Sequence, residues 1–315
     1  MTSEAAFIDS LRALAIDPAA RGLLDDAAVL EIGGTTLVLT HDMIAEGVHY
    51  LPSDPPGDVA WKLVAVNLSD LAGKGARPLG VLLGFTLGDE AWDRGFVKGL
   101  RTALTAFGIP LLGGDTVSAP SRVLGLTAIG VAAGPVPSRA GASPGDHLWV
   151  SGTIGDAGAG LHLLRSGKRE PGGLIERYRL PRPRLEAGER LAPLLTAMMD
   201  VSDGLLLDSS RMAAASGCRI AIELEAVPLS GDWLTLNGGG REARLAAASA
   251  GDDYELLFAA PAEAATDILA LAEELGLPFS RIGRCEAGAG LALTCRGDAV
   301  ALPERLGFEH ESESA

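Results

Sequence analysis

Three aspartates in the stretch MMDVSDGLLLDSS (198–210) are the first residues of this chain whose types and spacing suggest chemistry. Asp200 and Asp203 flank Ser202, a glycine follows, and Asp208 lies five residues after Asp203. The residues before Asp200 are apolar enough to form a buried strand, and an unpaired charge in such a place is costly. Two explanations stay open. The carboxylates cap a solvated turn, or they bind a divalent cation that prefers carboxylate oxygens.

Acids beside apolar or small residues, often next to a glycine, recur in four other segments. They are Asp25 and Asp26 in LLDDAAVL, Asp42 at the end of the strand-like run LVLTHD, Asp70 in VNLSDLAGKGA, and Asp115 in LLGGDTVSA. A single acid of this kind is commonly a turn or cap residue. Five segments that the fold brings together would form an oxygen cage for several Mg²⁺ ions. From the spacing alone, both interpretations remain possible.

Other motifs carry less information about chemistry. The stretch SGTIGDAGAGL (151–161) is typical of a strand, a glycine turn and a helix, but its glycines do not follow GxGxxG, and we interpret it as a tight turn. The chain has no GxxxxGK[ST] phosphate-binding loop and no HExxH among its five histidines. Lys74 and Arg77 follow Asp70 closely, and we interpret both as charges at the C-terminal end of a helix.

The elements that must position these acids alternate between helices and strands. The spacing of apolar residues predicts a helix over 58–72 that carries Asp70. AMMDVS predicts a strand, and GLLLDSSRMAAASG predicts a helix that ends at Gly217, which places Asp200 near a strand–helix junction. The Pro-, Gly- and Ser-rich segment 134–146 predicts a domain boundary. Two halves of similar length, both mixing strands and helices, are therefore expected.

Composition limits the classes of partner. The chain has 315 residues, 47% of them hydrophobic, which is enough for a full core in one large or two ordinary domains. A net charge of −15, from 26 basic and 41 acidic residues, argues against nucleic acid and anionic membrane surfaces. It does not argue against a phosphorylated ligand, because bound metal ions would offset the charge.

Targeting and redox signals are also informative. The longest charge-free apolar stretch, VLGLTAIGVAAGPV, is too short to span a bilayer, and the N-terminus has no signal-peptide layout. Cys218, Cys285 and Cys295 have no CxxC spacing, which indicates reduced thiols. We therefore expect a cytoplasmic protein.

Taken in order, these motifs resemble those of the thiamine-monophosphate kinases, a family of the aminoimidazole-ribonucleotide-synthetase-like superfamily. The similarity runs through nearly the whole chain, and NLSD, GGDT, SDGL and DYEL at these distances are its most specific segments. It implies a phosphotransferase that uses ATP to convert thiamine monophosphate to thiamine diphosphate. It also implies two domains and a homodimer: an N-terminal α/β domain (1–136) with the metal and ATP motifs and the dimer sheet, and a C-terminal α+β domain (137–315).

The resemblance implies roles for individual residues and no covalent nucleophile. The residues expected to hold several Mg²⁺ ions are Asp26, Thr40, His41, Asp42, Asp70, Asp115, Asp200 and Asp203. Those expected to contact ATP are Gly114, Asp115, Arg139 and Ser202. Those expected to contact the thiamine phosphate are His49, Asp252 and Phe308.

Three positions depart from the usual family pattern. The family usually has a small hydroxyl residue where this chain has His41, and a glutamate where it has Asp252. It often has AAMGA where this chain has AGKGA, so Lys74 is unusual. None of these departures removes one of the central carboxylates. For His41 we expect the main chain to face the metal cluster while the ring lies to one side.

The acid-rich pattern also suits phosphoryl transfer without reference to any family. A phosphate monoester has a second pKa of about 6 and is mostly a dianion near neutral pH, so its transfer chemistry needs charge neutralisation and in-line positioning more than a strong base. Three alternatives stay open. They are another ATP-dependent enzyme of the superfamily, such as aminoimidazole ribonucleotide synthetase, a non-catalytic metal- or nucleotide-binding protein, and a nucleotide-sensing regulator.

Overall fold

Two β-sheets, one in each half of the chain, organise the computed structural model, which describes residues 4–309. The outer ends of the two expected domains, residues 1–3 and 310–315, lie outside the described residues. The strands are β1 (Ala28–Ile32), β2 (Thr35–Ala45), β3 (Arg77–Leu87), β4 (Leu111–Ser118), β5 (Val123–Ala132), β6 (His147–Ser151), β7 (Ala197–Val201), β8 (Arg219–Glu223), β9 (Glu255–Ala260), β10 (Phe279–Glu286), β11 (Gly290–Cys295) and β12 (Asp298–Val300). The α-helices are α1 (Glu4–Leu11), α2 (Pro56–Gly73), α3 (Glu90–Phe107), α4 (Asp156–Arg165), α5 (Gly172–Arg179), α6 (Leu185–Leu191), α7 (Leu205–Ser216), α8 (Gly231–Asn237), α9 (Arg241–Ala248) and α10 (Ala265–Leu275).

The first sheet has the strand order β1-β2-β5-β3-β4, and all its pairs are antiparallel except β3 with β4, which α3 connects. Successive side chains of a strand point to opposite faces. On β2, Val38, Thr40 and Ile44 are buried on the face that packs against α2. His41 and Met43 lie on the other face and are exposed. One face of this sheet is therefore covered, and the opposite face is open in the single chain.

Strand β2 is longer than the sequence suggests. We expected the strand to end at Asp42, but β2 pairs with β5 from Thr36 to Ala45, so Asp42 lies inside it. The reason is that β5 offers backbone hydrogen-bonding partners to β2 past Asp42, as far as Ala45. Asp42 consequently points toward α2 from the middle of a rigid strand.

Helix α2 lies between the two sheets and joins the two halves of the chain. It was predicted over 58–72, and the structure extends it by only a few residues. Nearly every residue from Val59 to Gly73 is buried, as expected for a helix with packed neighbours on all sides. A Cβ on Gly73 would lie 3.1 Å from the backbone nitrogen of Asp200, so glycine allows β7 to approach the end of α2 closely.

The second sheet has the order β12-β11-β8-β10-β6-β9-β7 and is antiparallel apart from β8 with β11. Three neighbouring strands at one side of this sheet, β6, β9 and β7, are buried almost along their whole length, because both of their faces are covered. Its edge strand β7 brings the segment 197–201 against α2. Within residues 4–309, no helix has the length and apolar character needed to cross a membrane.

Candidate active site

Aspartates from four separate segments converge where α2 meets the edges of both sheets. Asp70 is buried on α2, and the hydroxyl of Thr40 on β2 donates a hydrogen bond to its carboxylate. Burial raises the pKa of Asp70 well above its ordinary value, and the nearby charges of Asp42, Asp200 and Asp26 raise it further. The repulsion that each acid feels from the others shows that the fold gathers them at one place.

The pKa values of Asp42 and Asp200 are raised for the same reasons. Burial, followed by the charges of Asp26 and Asp203, raises the pKa of Asp42 to about 6. Burial, followed by the charge of Asp26, raises the pKa of Asp200 well above its usual range. Carboxylates with such raised pKa values lack sufficient positive charge around them, and this is the environment in which a bound cation would be most stabilising.

The NLSD segment explains how α2 holds its neighbours. The side-chain oxygen of Asn67 accepts a hydrogen bond of 2.8 Å from the backbone N–H of Asp42. The hydroxyl of Ser69 donates a bond of 2.5 Å to the Asp200 carboxylate. One helix therefore positions an acid of the first sheet and an acid of the second. The sequence alone did not predict this role for Asn67 and Ser69. Their only sequence signal is polarity on an otherwise apolar helix.

Asp25 and Asp26 differ from the other acids because they have cationic partners. The buried Lys74 Nζ lies 2.7 Å from an Asp26 oxygen, pairs with Asp25, and donates to the Met198 carbonyl at 3.2 Å. Arg139 also pairs with Asp26. Burial alone would raise the pKa of Asp26, but the charges of Lys74 and Arg139 outweigh it and hold that pKa below its usual value.

The position of Lys74 corrects an expectation. We interpreted it as a charge at the end of a helix, and it does directly follow α2. Its side chain nevertheless points inward and is fully buried, because the two aspartates that precede β1 supply counter-charges there. A lysine can be buried when it is paired and hydrogen-bonded, and such a partner cannot be recognised from neighbouring sequence positions.

The turn after β7 answers the question raised by its three aspartates. The Asp208 carboxylate accepts hydrogen bonds from the backbone N–H groups of Ser202, Asp203 and Gly204 at 3.1–3.2 Å, so this acid is the turn-capping one. Gly204 has φ 122°, a conformation that favours glycine. Arg211 pairs with Asp208 and with Asp203. Asp200 instead lies near the other buried acids. The capping explanation therefore holds for Asp208, and a cation at Asp200 stays a prediction.

A cavity of about 360 Å³ opens beside the acidic cluster. It lies between β2, α4 and the segment that precedes β9, and its lining includes Asp42, His49, Ser202, Asp203, Asp252 and Phe308. The backbone N–H of Phe308 donates to the Asp203 carbonyl at 2.9 Å, which holds the C-terminal segment at the mouth of the cavity. All three residues expected to contact the thiamine phosphate therefore line one cavity next to the acids.

The structure separates three expected site residues from this cluster. In the strand register, Asp115 on β4 aligns through Gly84 and Gly125 with Met43, which places it on the open face of the first sheet. Gly114 lies on the same exposed edge strand. The ring of His41 also lies on the open face, with Nδ1 2.9 Å from the Thr127 hydroxyl. Its side chain thus points away from Asp42, in the direction we expected.

The oxygen ligands of the cluster suit Mg²⁺, although they do not form a preformed coordination site. Within residues 4–309, no three acidic, histidine or cysteine side chains stand close enough together to form a metal-holding group. Several of the carboxylates instead bind hydroxyl, ammonium or guanidinium groups of the chain. Their oxygen atoms are nonetheless the ligand type that Mg²⁺ prefers, and the buried, mutually repelling acids offer negative charge for a cation.

Comparison with known proteins identifies the family of the chain. Residues 24–132 match the family model described as AIR synthase related protein, N-terminal domain, and residues 143–296 match its C-terminal counterpart. A thiamine-monophosphate kinase of Caulobacter vibrioides is 42% identical over 305 residues, which cover 93% of this chain and 86% of that protein. The enzyme of the same name from Escherichia coli is 37% identical over 316 residues, covering 97% and 96%.

A solved structure shares the fold along almost the whole length. It is described as AaThiL complexed with AMPPCP and TMP, and it has a TM-score of 0.84 at 30% identity, covering 98% of this chain and 97% of that one. The two-domain fold expected from the sequence is thus confirmed. The chain belongs to the thiamine-monophosphate kinase family, within the AIR synthase related proteins.

Proposed function

We propose that this protein is a thiamine-phosphate kinase, which transfers the γ-phosphoryl group of ATP to thiamine monophosphate and forms thiamine diphosphate. The observation that carries the proposal is the acidic cluster directly beside a cavity, in a fold whose relative was solved with AMPPCP, an ATP analogue, and TMP. The other enzymes of the superfamily and the purely binding functions are less favoured, because the relatives at 37–42% identity are thiamine-monophosphate kinases.

In the proposed reaction, the cavity holds the acceptor and the cluster faces the transferred group. His49 and Asp252, which both line the cavity, contact the thiamine phosphate, and Phe308 packs at the mouth. An oxygen of the acceptor phosphate forms a bond to the γ-phosphorus of ATP as the bond to the β–γ bridging oxygen breaks, and ADP leaves. The acceptor is already mostly a dianion, so the chain has to orient it and exclude water rather than deprotonate it.

We further propose which residues hold Mg²⁺ and ATP. Bound Mg²⁺ supplies charge neutralisation for the phosphate oxygens. The carboxylates expected to bind it in this chain are those of Asp26, Asp42, Asp70, Asp200 and Asp203, with Thr40 beside them. Arg139 and Ser202 lie next to these acids and are expected to contact the nucleotide.

A homodimer is the proposed assembly. The open face of the first sheet carries apolar side chains such as Met43, which is 54% exposed, and Leu82, which is 39% exposed. Gly114 and Asp115 lie on the edge strand of the same sheet, so pairing of two such sheets would place them near the interface. Their expected contacts with ATP and Mg²⁺ therefore belong to the assembled dimer. The cytoplasmic location expected from the sequence stays a prediction.

A coupled assay tests the proposed activity. Purified protein receives ATP, Mg²⁺ and thiamine monophosphate, and ADP and thiamine diphosphate are measured together, the latter by fluorescence of its oxidised thiochrome derivative. We expect equal amounts of the two products, and no ADP when thiamine monophosphate is omitted. Turnover with formylglycinamidine ribonucleotide instead would identify an aminoimidazole ribonucleotide synthetase. ATP binding without any turnover would identify a nucleotide-binding protein.

A further inference from the structure

Lys62 is a buried lysine that contacts two of the residues lining the cavity, and it has no role among those assigned so far. It lies on α2 in the apolar run WKLVAV, and its side chain is only 3% exposed. Burying an ammonium is costly unless it is paired and hydrogen-bonded. Its position therefore calls for partners that compensate this cost.

The ammonium of Lys62 has three partners from three segments of the chain. Its Nζ donates to the main-chain carbonyl of His49 at 2.9 Å and to the Asp252 carboxylate at 2.8 Å. It also lies 4.2 Å from the centre of the Tyr178 ring, within the range of a cation–π interaction. His49 follows β2 in the first half of the chain and Asp252 precedes β9 in the second, so Lys62 connects cavity-lining residues from both halves.

Asp252 needs to be held in place because its backbone is strained. It has φ 71°, and Tyr254 has φ 53°, conformations that residues other than glycine adopt at a cost. One carboxylate oxygen of Asp252 accepts the Tyr254 hydroxyl at 3.0 Å, and the other accepts Lys62. Strained backbone of this kind persists only where the surroundings determine it, and here both oxygens are engaged by the protein.

We propose that Lys62 is a positioning residue for the thiamine monophosphate pocket. Its ammonium holds the Asp252 carboxylate and the His49 main chain at a set separation, so these two lining residues are in place before the substrate binds. This inference rests on the proposed function, because His49 and Asp252 are the expected substrate contacts. Preorganisation mainly lowers the free-energy cost of binding. Because Lys62 positions the expected contacts of thiamine monophosphate, its loss should weaken the binding of that substrate and not of ATP.

The decisive variant is Lys62→Met, which keeps an apolar stem of similar length and removes the ammonium. Lys168→Met, at an exposed lysine after α4, is the matched control. Thiamine monophosphate and AMPPCP are titrated separately by calorimetry, and KM is measured for both substrates. We expect Lys62→Met to weaken the binding of thiamine monophosphate by about 10-fold or more, as for the loss of a charged hydrogen bond. The KM for ATP and the affinity for AMPPCP should change less than about 3-fold.

A double-mutant cycle with Asp252→Asn tests whether the effect passes through Asp252. If Lys62 acts by holding that carboxylate, the double variant loses no more affinity for thiamine monophosphate than the weaker-binding single variant. Additive losses would overturn the proposal, and so would unchanged affinity in Lys62→Met. Equal losses for both substrates would indicate a general structural role and would also overturn it.

Two further controls keep the test decisive. If Lys62→Met does not fold, Lys62→Gln, which retains a donor for the His49 carbonyl, is judged by the same criterion. Wild-type protein that forms no thiamine diphosphate refutes the proposed function itself. Normal wild-type turnover together with an unchanged KM for thiamine monophosphate in the variant refutes only the role of Lys62.

Discussion

At the scale of single residues, the acids of the cluster fall into two groups. Asp26 and Asp203 pair with lysine or arginine side chains. The side chains of Asp70 and Asp200 are instead hydrogen-bonded by the hydroxyls of Thr40 and Ser69, which are neutral. Burial and neighbouring acids raise the pKa values of Asp70 and Asp200, as they do that of Asp42, so a bound cation would relieve the charge of these three acids.

Asp70→Asn should abolish kinase activity without unfolding the protein. The amide keeps the shape of the side chain but removes one negative charge from the clamp around the transferred phosphoryl group, and we expect a loss of about 10²-fold or more in kcat. The measurement is steady-state turnover, with circular dichroism to verify the fold. Asp298→Asn, at an exposed aspartate on β12, is the matched control. A folded Asp70→Asn protein within a few-fold of wild type would exclude this role.

His41→Thr should keep Mg²⁺-dependent activity within a few-fold. The imidazole bonds to Thr127 on the open face of the sheet, and imidazole is in any case a poorer Mg²⁺ ligand than oxygen. Rates in Mg²⁺ and in Mn²⁺ are compared for both proteins. If the wild type prefers Mn²⁺ and the variant loses that preference, the ring is a metal ligand and the expectation is wrong.

The metal-free protein should lose stability as pH rises through the titration of Asp42. Burial and neighbouring acids raise its pKa from 3.8 to about 6, so between these values the folded state binds more protons than the unfolded state. The contribution of Asp42 is therefore fully present below pH 3.8 and lost above about pH 6, and its full size is ~3 kcal/mol.

The measurement is urea unfolding in EDTA at pH 4 and pH 7 for wild type and Asp42→Asn. The difference in unfolding free energy between the two proteins isolates the contribution of Asp42 from that of the acids whose pKa is lowered. Relative to wild type, we expect Asp42→Asn to be more stable at pH 7 than at pH 4. Added Mg²⁺ should reduce this difference in stability at pH 7. Parallel pH profiles for the two proteins would contradict the assignment.

At the scale of elements, α2 is the part of the molecule that assembles the site. Its side chains reach both sheets: Asn67 and Ser69 hold acids, Asp70 belongs to the cluster, and Lys62 supports the cavity wall. Lys74, immediately after the helix, extends this role by bridging the Asp25–Asp26 pair to the Met198 carbonyl on β7. The helix is buried along most of its length, and its buried polar side chains bond to distant segments of the chain.

Lys74→Met should destabilise the fold. Removing the ammonium leaves the buried Asp25 carboxylate with Arg21 as its remaining charged partner, and breaking a buried pair in this way costs about 3–5 kcal/mol. Urea unfolding of the metal-free protein measures the loss. The double variant Asp25→Asn/Lys74→Met removes both charges and should recover much of it. A single variant as stable as wild type would show that Lys74 is not required.

At the scale of the whole molecule, the two faces of the first sheet have different tasks. The covered face carries Asp42 toward α2, whereas the open face carries Met43, Leu82 and Asp115. Apolar side chains on an uncovered sheet face are typical of an interface. The function of the chain is therefore expected to depend on a second copy as well as on its own cavity.

Leu82→Glu should convert the expected homodimer to a monomer. A charge in the centre of an apolar interface loses its solvation without gaining a partner, so association should weaken by orders of magnitude. Sedimentation gives the mass, with twice the 32.3 kDa of one chain expected for wild type. Leu269→Glu on α10, exposed far from this face along the chain, is the control. A wild-type protein that sediments as a monomer would refute the proposed assembly.

The sequence by itself determined the elements and the family. Local apolar periodicity was sufficient for α2, predicted over 58–72 and observed as Pro56–Gly73, because that pattern depends only on neighbouring residues. The acid-bearing motifs indicated the two-domain fold through their resemblance to a known family. The structure places Asp70 near Asp200, and their expected role as metal ligands stays a prediction.

The tertiary structure alone decided the environment of each side chain. It separated Asp115 from Asp42 by placing them on opposite faces of one sheet, which depends on strand register. It paired Lys74 with Asp25, 49 positions away, and Lys62 with Asp252, 190 positions away. A buried charge is tolerated only with its partner in place, and packing of distant segments supplies that partner, so no local pattern reveals which lysines are buried.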